Sequence, residues 1–74
     1  MEKLDLHRTR HVEVKRMVIR FIEDNWGSDK EIEIITGHSS KMRSLVTEVL
    51  DEYNLSYTVG RELDYNKGYI VVLV

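Results

Sequence analysis

The sequence predicts an α+β two-layer sandwich, in which a four-stranded mixed sheet carries two helices on one face. Two segments repeat their apolar residues with the helical period, and four others read as strands, in the order β-α-β-α-β-β. Strand-helix-strand crossovers are right-handed, which sets both helices on the same side of the sheet. The last segment, Tyr69 to Val74, is nearly unbroken apolar. Such a strand is covered on both faces or lies in the middle of a sheet, so it is placed centrally, antiparallel to the strand before it.

Each element has its own signal. Lys3 to His7 alternates, with Leu4 and Leu6 on one face of a short strand. From about Arg10 to Asn25 the period changes. Val14, Met17, Val18, Phe21 and Ile22 form one stripe of an amphipathic helix, and Lys15, Arg16, Arg20 and Glu23 occupy its other face. Thr9 is chemically a better N-cap than Arg10, because its hydroxyl can accept from a free backbone N–H, and Gly27 punctuates the end. Glu31 to Thr36 is the second strand, with the β-branched bulk of Ile32, Ile34 and Ile35. Gly37 turns the chain, and Ser39 or Ser40 caps a second helix striped by Met42, Leu45, Val46, Val49, Leu50 and Tyr53. Asn54 is a left-handed stop. Ser56 to Leu63 alternates again, with Tyr57, Val59 and Arg61 pointing one way, and Asp64-Tyr65-Asn66-Lys67-Gly68 has hairpin-turn chemistry.

With 74 residues, no Cys and no Pro, the chain has room for one domain, residues 1–74. Its core must rest on apolar faces, without disulfides or cysteine-held zinc. Eleven Lys and Arg stand against thirteen Asp and Glu, a formal charge of −2, which argues against strong nonspecific nucleic-acid binding by the molecule as a whole. No apolar run approaches a membrane span, and Met1-Glu2-Lys3-Leu4-Asp5 has no signal-peptide core. The expected setting is the reducing cytoplasm, away from membranes.

The charge is unevenly placed. In open α/β sheets, ligands bind beyond the carboxyl ends of the parallel strands. Those ends are residues 4–11 and 36–43, which hold all three histidines, His7, His11 and His38, and four of the eleven cations, Arg8, Arg10, Lys41 and Arg43. Most acids fall towards the helix C-termini, the opposite edge or the hairpin tip. A charge cluster alone also describes an ordinary solvated surface. The second stretch says more, because Gly37 admits close backbone approach and the following helix offers free N–H groups and a positive dipole end. Lys41 and Arg43 in that first turn suit an anion better than they suit the helix. Ser39 and Ser40 also have the simpler explanation that one of them is the cap.

His7 and His11 are four apart, but His7 ends a strand, so the spacing is not that of two ligands on one helix. Alternation puts Asp5 and His7 on the same strand face about 7 Å apart, on the side away from the helices or at the exposed strand end. A positioned imidazole and carboxylate can do general acid–base work near neutral pH.

Leu4-Asp5-Leu6-His7 resembles the LDLH(G) signature of Smr (small MutS-related) domains. Ile34-Ile35-Thr36-Gly37-His38 stands where that family has its TGxG or HGxG turn, and Gly68-Tyr69-Ile70-Val71-Val72-Leu73 resembles its closing GxxxVxL strand. The resemblance spans essentially the whole chain. It implies the fold of the C-terminal domain of translation initiation factor three, nucleic-acid binding, and, as in several members, endonuclease activity on DNA or RNA. It also implies that Asp5 and His7 are the acid and imidazole of the first motif, and that Thr36 and Gly37 begin the second. Two positions depart from the pattern. Arg8 replaces the glycine after LDLH, and Ser39 replaces the second glycine of the turn, where a serine is strained if φ is positive.

Three readings of different class follow. The first is a small nuclease using Asp5 and His7, with the amides of Gly37 to Lys41 and the cations Lys41 and Arg43 on the phosphate. No motif calls for a cofactor, and Mg²⁺ enters only with this reading. The second is a noncatalytic module that binds DNA or RNA through Arg8, Arg10, His11, Thr36, Gly37, His38, Ser39, Ser40, Lys41 and Arg43. The third is a protein-interaction module, including a homodimer, using an open sheet face with Tyr57, Val59, Tyr69 and Val71 or their neighbours.

Overall fold

Leu4 and Leu6 open the fold, but strand β1 (Lys3–Asp5) stops short of the predicted His7. The cause is Asp5. Its Oδ1 accepts from the His7 backbone N–H at 3.1 Å, and Thr9 N–H donates to the Leu6 carbonyl at 2.9 Å. An aspartate that engages its own backbone two residues on turns the chain out of the ladder. The computed structural model describes residues 1–27, 29–60 and 68–74.

Helix α1 (His11–Asp24) follows, with Arg10 rather than Thr9 at its N-cap and no side-chain cap bond. Thr9 is held in the preceding turn by its bond to Leu6, one position too early to cap. At the far end Asn25 is the C-cap and its amide donates to the Phe21 carbonyl at 2.9 Å. Gly27 then takes a φ of 72°, as expected of a stop.

Strand β2 (Glu31–Ile35) pairs parallel with β1, Leu4 opposite Ile34. In α2 (Ser40–Glu52) the cap is Ser39, whose Oγ accepts from Met42 N–H at 3.1 Å. Asn54, just past the C-cap Tyr53, takes a φ of 55°. Strands β3 (Ser56–Val59) and β4 (Tyr69–Leu73) complete a sheet of order β1-β2-β4-β3. The apolar strand β4 therefore lies centrally, antiparallel to both neighbours. The predicted continuation of the third strand to Leu63, including Arg61, and the turn at 64–67 with Tyr65 lie outside the described residues.

Both helix stripes face one core. Val14, Val18 and Ile22 of α1 and Met42, Val46, Val49 and Leu50 of α2 are buried with Leu6, Ile32, Ile34, Ile70 and Val72. Burying each such side chain contributes about 1.5–3 kcal/mol before chain entropy is counted. Met17, Phe21, Leu45 and Tyr53 pack around the margin.

The register corrects the composition expected for the open sheet face. Tyr57 pairs with Val72 and Val59 with Ile70, so both point into the helix layer, where the Tyr57 hydroxyl donates to Asp51 Oδ1 at 3.0 Å. The open face instead carries Ile35, Tyr69, Val71 and Leu73 among Lys3, Asp5, Glu31, Glu33, Ser56 and Thr58. Charged and hydroxyl side chains of β1, β2 and β3 flank these apolar residues. Among the described residues no helix is long and apolar enough to cross a membrane.

Candidate functional site

Parallel pairing of β1 with β2 brings the turn after Asp5 and the turn after Ile35 side by side at one edge of the sheet. Leu6, fully buried, anchors the first turn to the core, and its N–H donates to the Ile35 carbonyl at 2.8 Å. Asp5 and His7 flank Leu6 and are both exposed. The turn draws them much closer than an extended strand allows, and His7 Nδ1 lies 2.5 Å from Asp5 Oδ1. A carboxylate only accepts, so Nδ1 carries the proton. In the neutral ring, Nε2 is then left with its lone pair.

The same Oδ1 accepts the ring and backbone N–H groups of His7. These bonds, with the nearby charges of His7 and Arg8, hold the Asp5 carboxyl below the ordinary aspartate value. A carboxyl lowered on folding stabilises the fold above its unfolded pKa, about 3.9, and that contribution is lost as pH falls through the lower folded value. A carbon-detected NMR titration should find the Asp5 midpoint below that of an unstructured aspartate, and His7→Ala should move it upward. An Asp5 midpoint unchanged by that substitution would show that the pair does not form in solution.

The second turn is built against the first. Gly37 has a φ of 69°, and a Cβ there would stand 3.4 Å from His7 Cβ and 4.0 Å from its Cα. The positive φ is what calls for glycine here, while the space beside His7 would bring an added Cβ only into van der Waals contact. Gly68 ties the turn to β4, because its carbonyl accepts from both Thr36 N–H and Gly37 N–H at 2.9 Å. This narrows the expected set of phosphate-facing amides. Gly37 N–H is consumed by Gly68, and Met42 N–H by Ser39 Oγ. The amides of His38, Ser39, Ser40 and Lys41 have no partner among the described residues.

Thr36, included from sequence among the binding residues, is only 1% exposed, and its hydroxyl donates to the Gly37 carbonyl at 2.9 Å. Its side chain shapes the turn from inside. Ser39 adopts φ −79° and ψ 119°, extended backbone that any residue takes, so the serine at a family glycine position carries no strain. Arg8 is likewise absent from the left-handed region.

Arg8, Arg10, His11, His38, Ser40 and Lys41 are exposed around these turns, while Arg43 is half-buried. The cations of α1 are different. Lys15 bonds Glu48 at 2.8 Å, Arg16 pairs with Glu13, and Arg20 lies 4.0 Å from Asp24. These pairs neutralise the outer face of α1 locally, so the helix does not extend the basic edge. Exposed pairs of this kind add little stability. Trp26 lies past the far end of α1, packed edge-on to Tyr53 with ring centroids 5.9 Å apart, away from both turns.

A family model for the Smr domain matches residues 4–74, from the first leucine of LDLH to the residue after β4. The chain belongs to the Smr domain family. No curated protein and no solved structure matches it. In this Smr domain the two motif turns and the closing strand form one unit, with His7 against Gly37 and Gly37 bonded to Gly68. Sequence reasoning missed this use of Gly68. Its signal was the glycine opening the closing strand, which was read as turn chemistry and as the start of the closing motif, without a partner in the second turn.

The donor set also bears on Mg²⁺, which takes oxygen ligands in an octahedron. Among the described residues no three His, Asp or Glu side chains converge on a common point. Asp5 already gives one oxygen to His7. The described residues therefore offer no three-ligand centre of their own.

Proposed function

We propose that this Smr domain binds DNA or RNA at the edge formed by its two motif turns and cleaves a phosphodiester there. The observation that supports this reading most directly is the Asp5–His7 pair set against Gly37, beside the N-terminus of α2. The imidazole, oriented through Nδ1, accepts the proton of the attacking hydroxyl or water at Nε2 as the oxygen adds to phosphorus. The ring then returns the proton to the leaving oxygen as its bond to phosphorus breaks. Asp5 steadies the imidazolium between these transfers. The free amides from His38 to Lys41, with the Lys41 ammonium, face the charge that builds on the phosphoryl oxygens. Arg8, Arg10 and Arg43 hold the flanking backbone.

Labelled supercoiled DNA and structured RNA, incubated with and without Mg²⁺, test the reading. Cleavage of either that is lost in His7→Ala supports the nuclease. Retained binding without cleavage reduces the proposal to the noncatalytic module, and no binding at low salt overturns both. Binding itself has a quantitative signature. Phosphate contacts by Arg8, Arg10, Lys41 and Arg43 predict that log affinity falls against log salt with a slope of about −3 to −4. Lys41→Ala should flatten that slope by about 1 and weaken different sequences equally. A slope near zero would remove the basic edge from the interface.

A further inference from the structure

Among the described residues, strand β1 has a neighbour on one side only. Its bonds to β2 use the backbone of Glu2, Leu4 and Leu6. Glu33 N–H donates to the Glu2 carbonyl at 2.9 Å, Leu6 N–H to the Ile35 carbonyl at 2.8 Å, and Leu4 lies between them opposite Ile34. Backbone direction alternates along a strand, so the N–H and C=O groups of Lys3 and Asp5 point away from the sheet. On the helix side of this edge is a cleft lined by Leu4, Met17 and Phe21, with Arg20 and Asp24 at its rim. All three apolar side chains are only half-buried. An edge with unpaired backbone beside apolar side chains is a template for another strand.

We propose that a second copy of this chain occupies the edge, β1 against β1, antiparallel about a twofold axis normal to the sheet at Leu4. The register follows from the backbone and the charges together. The outward groups belong to Lys3 and Asp5, so a hydrogen-bonded pair must join two of these four residues across the axis. Centring the pairing on Lys3 sets lysine against lysine, and centring it on Asp5 sets carboxylate against carboxylate. Centring it on Leu4 makes Lys3 of each copy exchange both backbone bonds with Asp5 of the other. It also puts their opposite charges directly across from each other, twice. Leu4 then meets Leu4 on the axis, in the closer, non-hydrogen-bonded position. The clefts of the two copies face one another, so Leu4, Met17 and Phe21 cover the same three residues of the second copy. The patch is self-complementary and the pairing closes at two chains.

The dimer acts on the site as well. Lys3 of the second copy comes to stand opposite Asp5, whose Oδ1 orients His7. Each site gains a cation, and the two sites face opposite ends of a joined sheet. The arrangement does not depend on what the site binds.

The chain has no cysteine, which gives a clean test. Leu4→Cys places two thiols across the axis at a spacing a disulfide can span, and mild oxidation should yield a covalent dimer. Thr58→Cys, exposed on the opposite edge strand β3, should cross-link at least about tenfold more slowly. Sedimentation of the unmodified protein from about 10 µM to about 1 mM should show a monomer–dimer equilibrium. Lys3→Asp should abolish the dimer, and adding Asp5→Lys to it should restore it, with circular dichroism confirming the fold of each variant. A monomer throughout that range, equal cross-linking at both cysteines, or a dimer untouched by Lys3→Asp overturns the proposal.

Discussion

Replacing His7 with alanine is expected to lower phosphodiester cleavage by about 10²–10⁴-fold, the usual share of a positioned general base, while leaving low-salt binding in place. The two effects separate because His7 and the cations do different work. The imidazole is fixed by a 2.5 Å contact to Asp5 and lies against Gly37, whereas Arg8, Arg10 and Lys41 surround it as exposed charges. Asp5→Asn offers a control with nearly the same shape. Asparagine can still accept from Nδ1, but it lacks the charge that steadies an imidazolium, so the rate should fall by less than in His7→Ala. Single-turnover assays on the same substrate, with binding measured in parallel, read both quantities. Cleavage unchanged in purified His7→Ala would remove His7 from the chemistry and with it the nuclease reading.

Replacing Leu6 with alanine is expected to remove about 2–5 kcal/mol of stability, through lost burial and the cavity left behind. A core in a chain this small supplies only about 3–5 kcal/mol in all. The variant should therefore populate the unfolded state at room temperature, with its urea midpoint close to zero by circular dichroism. Leu6 is fully buried yet sits between Asp5 and His7, so the residue that holds the site together is itself a core residue. Leu45→Ala is the comparison, because Leu45 is only half-buried at the margin of the same core and should cost less. A Leu6→Ala variant as stable as the parent would mean that the turn after β1 is not anchored as described.

Much of the fold was legible before any coordinates. The stripes of both helices predicted the core-facing residues, because a side chain's face on a helix is set by spacing alone. A serine cap on α2, Ser39 or Ser40, and Asn54 ending it follow from the chemistry of a hydroxyl and of a residue that tolerates positive φ, and the structure selects Ser39. The central place of β4 followed from its lack of a polar face. The motif residues of the candidate site were legible because LDLH and the glycine turn are short and contiguous.

What went astray depended on partners distant in sequence. Thr9 has the right chemistry for a cap but is held in the preceding turn by Leu6. The amide of Gly37 looked available and is taken by Gly68, thirty-one positions away. Tyr57 and Val59 alternate correctly, but only their register with β4 decides which face they share. Arg16 and Arg20 were placed on the outer face of α1 by period alone, and only the structure pairs them with Glu13 and Asp24.

The formal charge of −2 and the short chain, taken by themselves, describe an ordinary small domain. Read for period and motif, the sequence determined the order of elements, the composition of the core and the residues gathered at one sheet edge. Only the tertiary structure decided that Asp5 bends β1 so that His7 meets it, that Ser39 needs no glycine's freedom, and which amides stay open to an anion. The division has a simple cause. Periodicity, capping and turn preference act within a few residues, whereas a backbone group's partner depends on which distant strand arrives beside it.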